Sequence, residues 1–375
     1  MSQNIIIIGG GIIGLSCAYE LRMRGFDVTV LEARRCGGQA SGAAAGMLAP
    51  FSENTEGPDA FFRLCQFSLL LYPEWQEQIR SISGVHFEYA NTGSLHIAYH
   101  AADLLSLEGR RLWQRQYGSS GEIVSGAELF RMEPALSRDV LAALYTPEES
   151  HIYAPDFIRA LEQACRISGV LIKEELGSIR LVEWDRHIAV SAADGTVFYG
   201  DRLVASTGAW AQELSEQLGL PIPVYPIRGQ ICAYRTETQP PVKHMVFFNQ
   251  GYLVAKANGT MVCGASEDVA GYDTSVTERG IERLRNWNNK VLPFLEGQLP
   301  FHSWAGLRPA TQDGYPLIGP VEGAERVLMA AGHYRNGILL SPVTAKFIAD
   351  FIENRCVPSE VREMFSPSRF ANAWI

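Results

Sequence analysis

The sequence is poor in the features that mark several functional classes. Charged residues make up 19% of the 375, and no Lys/Arg cluster stands out in a chain of net charge −9. A nucleic-acid partner needs basic groups to neutralise phosphates, so the composition argues against one. The seven cysteines, at 17, 36, 65, 165, 232, 263 and 356, contain no C-x-x-C. A scattered set of this kind predicts reduced thiols in a cytoplasmic protein, with neither a disulfide framework nor a metal site. No apolar run reaches the length of a membrane span, so no membrane partner is expected. The apolar start NIIII lacks a basic n-region and runs straight into glycines, which reads as structure and not as a targeting segment. No internal repeat or low-complexity tract appears. What remains is a globular composition, 47% hydrophobic, long enough for two domains sharing an interface.

The first stretch carries the clearest signal. Residues 5–8 are four isoleucines, which predict a parallel strand buried on both faces. Gly9, Gly11 and Gly14 follow in the pattern G-x-G-x-x-G. Residues 15–24 predict a helix stopped by Gly25, and 26–31 a second strand ending at Glu32. In this setting each glycine has a reason. The first permits a tight turn, the second a close approach of backbone to a pyrophosphate, and the third close helix–strand packing. The pyrophosphate would sit at the helix N-terminus. Glu32 would accept from both ribose hydroxyls and repel a 2′-phosphate, so FAD or NAD fits better than NADP.

Further along, 37–47 is almost all Gly, Ala and Ser, which lets backbone come close to a helix or a cofactor. Residues 59–82 predict a helix kinked at Pro73, 87–99 strands around a turn at Asn91 and Gly93, and 101–117 an amphipathic helix. Short strands are expected between 170 and 205. Residues 218–230 hold prolines at 221, 223 and 226 and read as a domain crossing. More strands follow between 231 and 266, then a helix over 277–292. In the last third, GHYRNG forms a glycine-bounded loop before an apolar helix, with Pro342 expected near its first turn.

Gly9 to Gly14 with Glu32, SGAAAGML at 41–48, WAGLRP at 304–309, DGYPLIG at 313–319 and GHYRNGILLSP at 332–342 together resemble the D-amino-acid-oxidase-type flavoproteins, and within them the glycine oxidase family of the thiamine pathway. The resemblance covers essentially the full chain. It implies an α/β fold of two domains: a discontinuous Rossmann-like FAD-binding domain (1–84, 148–217 and 304–375) and an antiparallel substrate domain (85–147 and 218–303). It implies non-covalent FAD and oxidation of glycine, sarcosine or small D-amino acids. Oxygen is the partner, hydrogen peroxide a product, and a homotetramer the assembly. Matched position by position, Ile12, Ile13, Glu32, Ala33, Ala40, Ser41, Ala45, Gly46, Met47 and Ser178 fall where the family holds FAD. So do His333, Tyr334, Arg335, Asn336, Gly337, Ile338 and Leu339. Arg308 matches the arginine that clamps the substrate carboxylate. Tyr252 matches a tyrosine beside it, and Arg335 an arginine near the flavin and the entrance; with Met47 they make the substrate set. The chain departs from the family at Gln250, where glycine oxidase carries a histidine; that position bears on substrate preference.

The residue types fit this chemistry. A carboxylate buried beside an apolar flavin must be paired, and the planar fork of an arginine fixes both its oxygens. A structural ion pair is the alternative for Arg308, a core position for Tyr252, and a surface salt bridge for Arg335. The site words contain no Glu/Lys or Cys/His catalytic pair. That favours hydride transfer from a neutral amine, which needs orientation more than a strong base. The helix start near Asn336 would stabilise negative charge on the reduced flavin. A dehydrogenase of the same fold, passing electrons to another acceptor, is the alternative activity.

Overall fold

The computed structural model describes residues 3–54, 57–236 and 242–370. Strand Asn4–Ile8 pairs in parallel with Asp27–Leu31 on one side and Arg202–Ala205 on the other. Ile5, Ile6 and Ile7 are fully buried, as a strand covered on both faces requires. The sheet is six-stranded; Leu171–Lys173 lies at one edge, and Ala324–Ala331 then Leu317–Val321 lie at the other. Only the last of these pairs antiparallel. Helices Ile12–Met23, Ala154–Ile167 and Gly337–Ile352 pack into the largest core cluster with this sheet. The architecture is α/β with a Rossmann-like sheet, as expected.

Helix Ile12–Met23 begins earlier than 15, so Gly14 lies inside it. A methyl on Gly14 would collide with the Gly9 carbonyl, which is why close packing demands glycine there. Helix Gly337–Ile352 also begins early, so Pro342 falls in its second turn and not its first. A proline there removes the N–H that would serve the Ile338 carbonyl. Tyr72 donates its hydroxyl to that carbonyl instead, and Ser68 Oγ donates to Leu339 O at 2.6 Å. Both donors lie on helix Ala60–Ser83, which runs on through Pro73.

An eight-stranded sheet forms the second layer, in the order His302–Thr311, Val224–Arg235, Thr260–Gly264, Gly251–Lys256, Met245–Phe248, Ser94–Ala98, Ala142–Thr146, Glu122–Ser125. The segment 218–230, expected from its prolines to be a domain crossing, is strand from Val224 onward. Pro226 stands opposite Pro309, where neither residue has an N–H to donate, so the pair sits between ladder bonds and breaks none. The strands at 87–99 do not form one hairpin. Tyr89–Ala90 joins a small sheet with Ser150–Ile152 and Met47–Leu48, while Ser94–Ala98 enters the large sheet. The anticipated domain limit at 304 falls inside His302–Thr311, which pairs along its length with Val224–Arg235. No helix among the described residues is long and apolar enough to cross a membrane.

Candidate active site

The carboxyl ends of the central strands open into a cleft of about 530 Å³. Its walls include Gly9, Gly11, Ile12 and Ile13 from the first turn, and Glu32 and Ala33 from the second strand. Ala40 and Ser41 of the short helix Ala40–Ala43 contribute, as do Ser178, His333, Tyr334, Arg335, Gly337 and Ile338. The glycines keep the cleft open. A methyl on Gly9 would collide with the Ser206 carbonyl, and one on Gly11 would stand 3.2 Å from Ser41 Oγ. Two helix N-termini converge here, because a methyl on Gly337 would lie 3.9 Å from Ile12 Cγ2. Unpaired N–H groups of a helix start favour anionic groups, so the two ends suit a pyrophosphate and the electron-rich side of a flavin.

Glu32 is held in place by backbone donors. Gly10 N–H donates to Oε2 at 2.6 Å and Arg34 N–H to Oε1 at 2.8 Å. Each oxygen keeps a lone pair, and the carboxylate lines the cleft, so ribose hydroxyls can donate to it. The donor set and the glycine-lined walls fit FAD.

A smaller cavity of about 70 Å³ adjoins the cleft. Tyr334, Arg335 and Ile338 line both spaces. Ala45, Gly46, Met47, Tyr252, Arg308 and Asn336 line the smaller one. Arg308 Nη1 donates to the Ser266 carbonyl at 2.9 Å, and among the described residues no carboxylate lies within ion-pair reach of it. Its charge is therefore held by a neutral partner and open to an anion. Tyr252 is buried, which pushes its phenol pKa up against the pull of Arg308 and Arg335, so it stays a hydroxyl donor.

Arg335 behaves differently. Its Nε and Nη2 meet the two oxygens of Glu53 at 2.9 and 3.1 Å, and Nη1 meets Glu267 at 3.1 Å. Glu53, then its own hydrogen bonds, hold the guanidinium pKa well above its ordinary value despite burial. Burial lifts the Glu267 carboxyl, but the Tyr334 hydroxyl (2.9 Å) and Arg335 outweigh it and hold it below its usual range. His333 is 2% exposed, with Nε2 3.0 Å from Thr344 Oγ1; burial pulls its pKa down to about 3, so the ring is neutral.

Some anticipated residues lie apart. Gly14 packs behind the turn, and Leu339 is buried in the core with its carbonyl taken by Ser68. Gln250 is exposed between strands Met245–Phe248 and Gly251–Lys256 and does not line the cavity. Sequence reasoning missed Glu53, Glu267, Ser206 and Trp210. Ser206 and Trp210 flank Thr207-Gly208 just beyond strand Arg202–Ala205, and both line the cleft; the small residues after that strand are their local signal. The two glutamates come together across long stretches of chain, and nothing in their neighbours marks them.

Residues 4–351 match the family model described as FAD dependent oxidoreductase. A glycine oxidase of Geobacillus kaustophilus is 32% identical over 94% of this chain and 93% of its own length. The crystal structure of glycine oxidase from that organism superposes with a TM-score of 0.92 at 30% identity, covering 98% of this chain and 99% of the other. A bifunctional protein ThiO/ThiG of Trichormus variabilis is 34% identical over 94% of this chain, which spans only 53% of that relative's length. The turn, the cleft and the match across nearly the whole sequence agree: the chain belongs to the FAD-dependent oxidoreductase family.

Proposed function

We propose that this protein oxidises glycine and related small amines, such as sarcosine and small D-amino acids, with FAD as cofactor and oxygen as acceptor. The observation that carries the reading is Arg308. A guanidinium held by a backbone carbonyl and by no carboxylate among the described residues, in a small cavity beside the cofactor cleft, calls for a carboxylate. Size supports it. A cavity of about 70 Å³ admits only a small ligand. That matches a ligand with as few heavy atoms as glycine.

Gly9, Gly11, Ile12, Ile13, Glu32, Ala33, Ala40, Ser41 and Ser178 would hold the nucleotide part of FAD, and the stretch from His333 to Ile338 the flavin end. Bound there, FAD would supply the two-electron chemistry: hydride abstraction from the amine-bearing carbon, with oxygen reduced to hydrogen peroxide. The chain's own residues orient and enclose. Arg308 fixes the carboxylate and Tyr252 donates to it. Arg335 is already neutralised by Glu53 and Glu267, so it shapes the mouth of the cavity and leaves the clamp to Arg308. Neutral His333 supplies no cation.

The wider reading follows the family resemblance: a cytoplasmic homotetramer, a place in thiamine thiazole formation, and a discontinuous cofactor domain with an inserted substrate domain. The small-amine reading is tested by anaerobic titration of the yellow protein. Glycine should bleach the flavin and acetate should not. A flavin unaffected by glycine, sarcosine and D-alanine would mean the substrate class is wrong.

A further inference from the structure

Glu53 reaches Arg335 from a single helical turn, Pro50–Glu53, and that turn is gripped by buried charge. Glu149 is 0% exposed and accepts from Ser52 N–H at 2.8 Å and Ser52 Oγ at 2.6 Å. Ser94 Oγ donates to the same carboxylate. On the other side Arg110, 5% exposed, donates Nη2 to the carbonyls of Phe51 and Ser52 at 3.1 and 3.2 Å. Gln114 adds a bond to Phe51 O at 3.0 Å.

This arrangement is costly. Among the described residues Glu149 and Arg110 make no ion pair with each other, so each buried charge is satisfied through the turn between them. Among the described residues Arg110 Nε and Gln114 Oε1 have no hydrogen-bond partner. Burial pushes the Glu149 carboxyl up to about 7, although Ser52 and Ser94 pull it down. A fold does not need a buried acid and a buried base to hold one turn. The turn ends on Glu53, the one acidic residue among the described residues that line the 70 Å³ cavity.

We propose that Glu149 is a positioning residue for that cavity: it fixes the turn Pro50–Glu53 and thereby holds Glu53 on Arg335, so that the cavity prefers amine-bearing carboxylates to plain ones. With Glu53 in place, Arg335 is neutralised, a single arginine remains for one carboxylate, and an acid faces the amine. With Glu53 displaced, Arg335 keeps only its single 3.1 Å bond to Glu267, and the cavity loses the acid that faces the amine. A plain anion gains and an amino acid loses.

The inference rests on the cavity being the substrate site, as proposed above. Its test uses the FAD-loaded full chain. Glycolate affinity is read from the shift in flavin absorbance, and glycine KM from oxygen uptake. Glu149→Gln should tighten glycolate and raise glycine KM, each about fivefold, with FAD still bound. Glu53→Gln should do the same. The double variant should go no further than the larger single one, because both act through one contact. Should Glu149→Gln fail to fold, Ser52→Ala removes one bond to Glu149 and is read the same way. Unchanged glycolate and glycine values in the folded variant, or single effects that multiply in the double variant, would overturn the proposal. Glycolate binding needs no turnover, so a wild type that binds glycolate but ignores glycine would defeat the glycine reading alone.

Discussion

The guanidinium of Arg308 lies flat against the α-carbon of Gly229: a methyl group on Gly229 would collide with the guanidinium carbon and both terminal nitrogens. The two residues sit on paired strands, with Gly229 opposite Gly306 and Arg308 opposite Ile227. The absence of one side chain thus sets where the charge rests. Gly229→Ala should push the guanidinium off its place without disturbing the fold, since the arginine is free to swing. We expect kcat/KM for glycine to fall about 10- to 100-fold, carried mainly by KM, with FAD content unchanged. Steady-state kinetics on the purified variant check this; an unchanged KM would mean that the position of Arg308 does not matter.

Removing the charge itself should cost more. Arg308→Ala should weaken carboxylate substrates by about 2–5 kcal/mol, as truncation of one partner of a buried charge pair does. The loss should appear for glycine and sarcosine alike. If glycine kinetics survive in a variant that retains its flavin, Arg308 is not the clamp.

His333 separates an orienting site from one that uses a base. Its buried ring is held neutral, with a pKa pulled down to about 3, so it changes charge at no working pH. The pH profile of kcat/KM from pH 6 to 9 should therefore be the same in wild type and His333→Asn. A large loss of kcat in the variant with substrate binding intact would show that the ring acts as a base.

Lys256 makes a prediction about stability. It is 2% exposed, with Nζ donating to the Ile152 carbonyl at 3.0 Å and lying 3.1 Å from His151 Nδ1. Burial pulls its pKa from 10.5 down to about 7, against a partial lift from Glu88. In the window from 7 to 10.5 the unfolded chain holds a proton that the folded chain lacks. Stability therefore rises with pH there, and the burial penalty is full and constant below it. Urea unfolding in steps across this window should show wild type gaining on Lys256→Met by at most about 1.4 kcal/mol per pH unit. A difference that does not change with pH would mean the buried amine keeps its charge.

The elements that were legible in the sequence are those whose signal is local. The isoleucine strand, the glycine turn and the acid at Glu32 lie within one short unit, and backbone geometry dictates all three. The strand Val224–Arg235 was hidden by Pro226 and by the prolines at 221 and 223 before it: a proline breaks a strand only where an N–H is needed, and Pro226 stands opposite another proline. Pro342 misled in the same way, because Tyr72, far away in sequence, supplies the bond its ring removes. Arg308, Tyr252 and Arg335 could be named from sequence words. That Arg335 is spent on Glu53 and Glu267 while Arg308 is not depends on pairings across more than two hundred residues in the case of Glu53, which no local pattern records.

The most direct test of the account is oxygen uptake by the yellow protein given glycine, with peroxide measured alongside. The account predicts uptake with one peroxide formed per oxygen consumed, and faster turnover of glycine and sarcosine than of bulkier amines. Flavin reduction by glycine with no oxygen uptake would contradict it and point to a dehydrogenase that uses another acceptor.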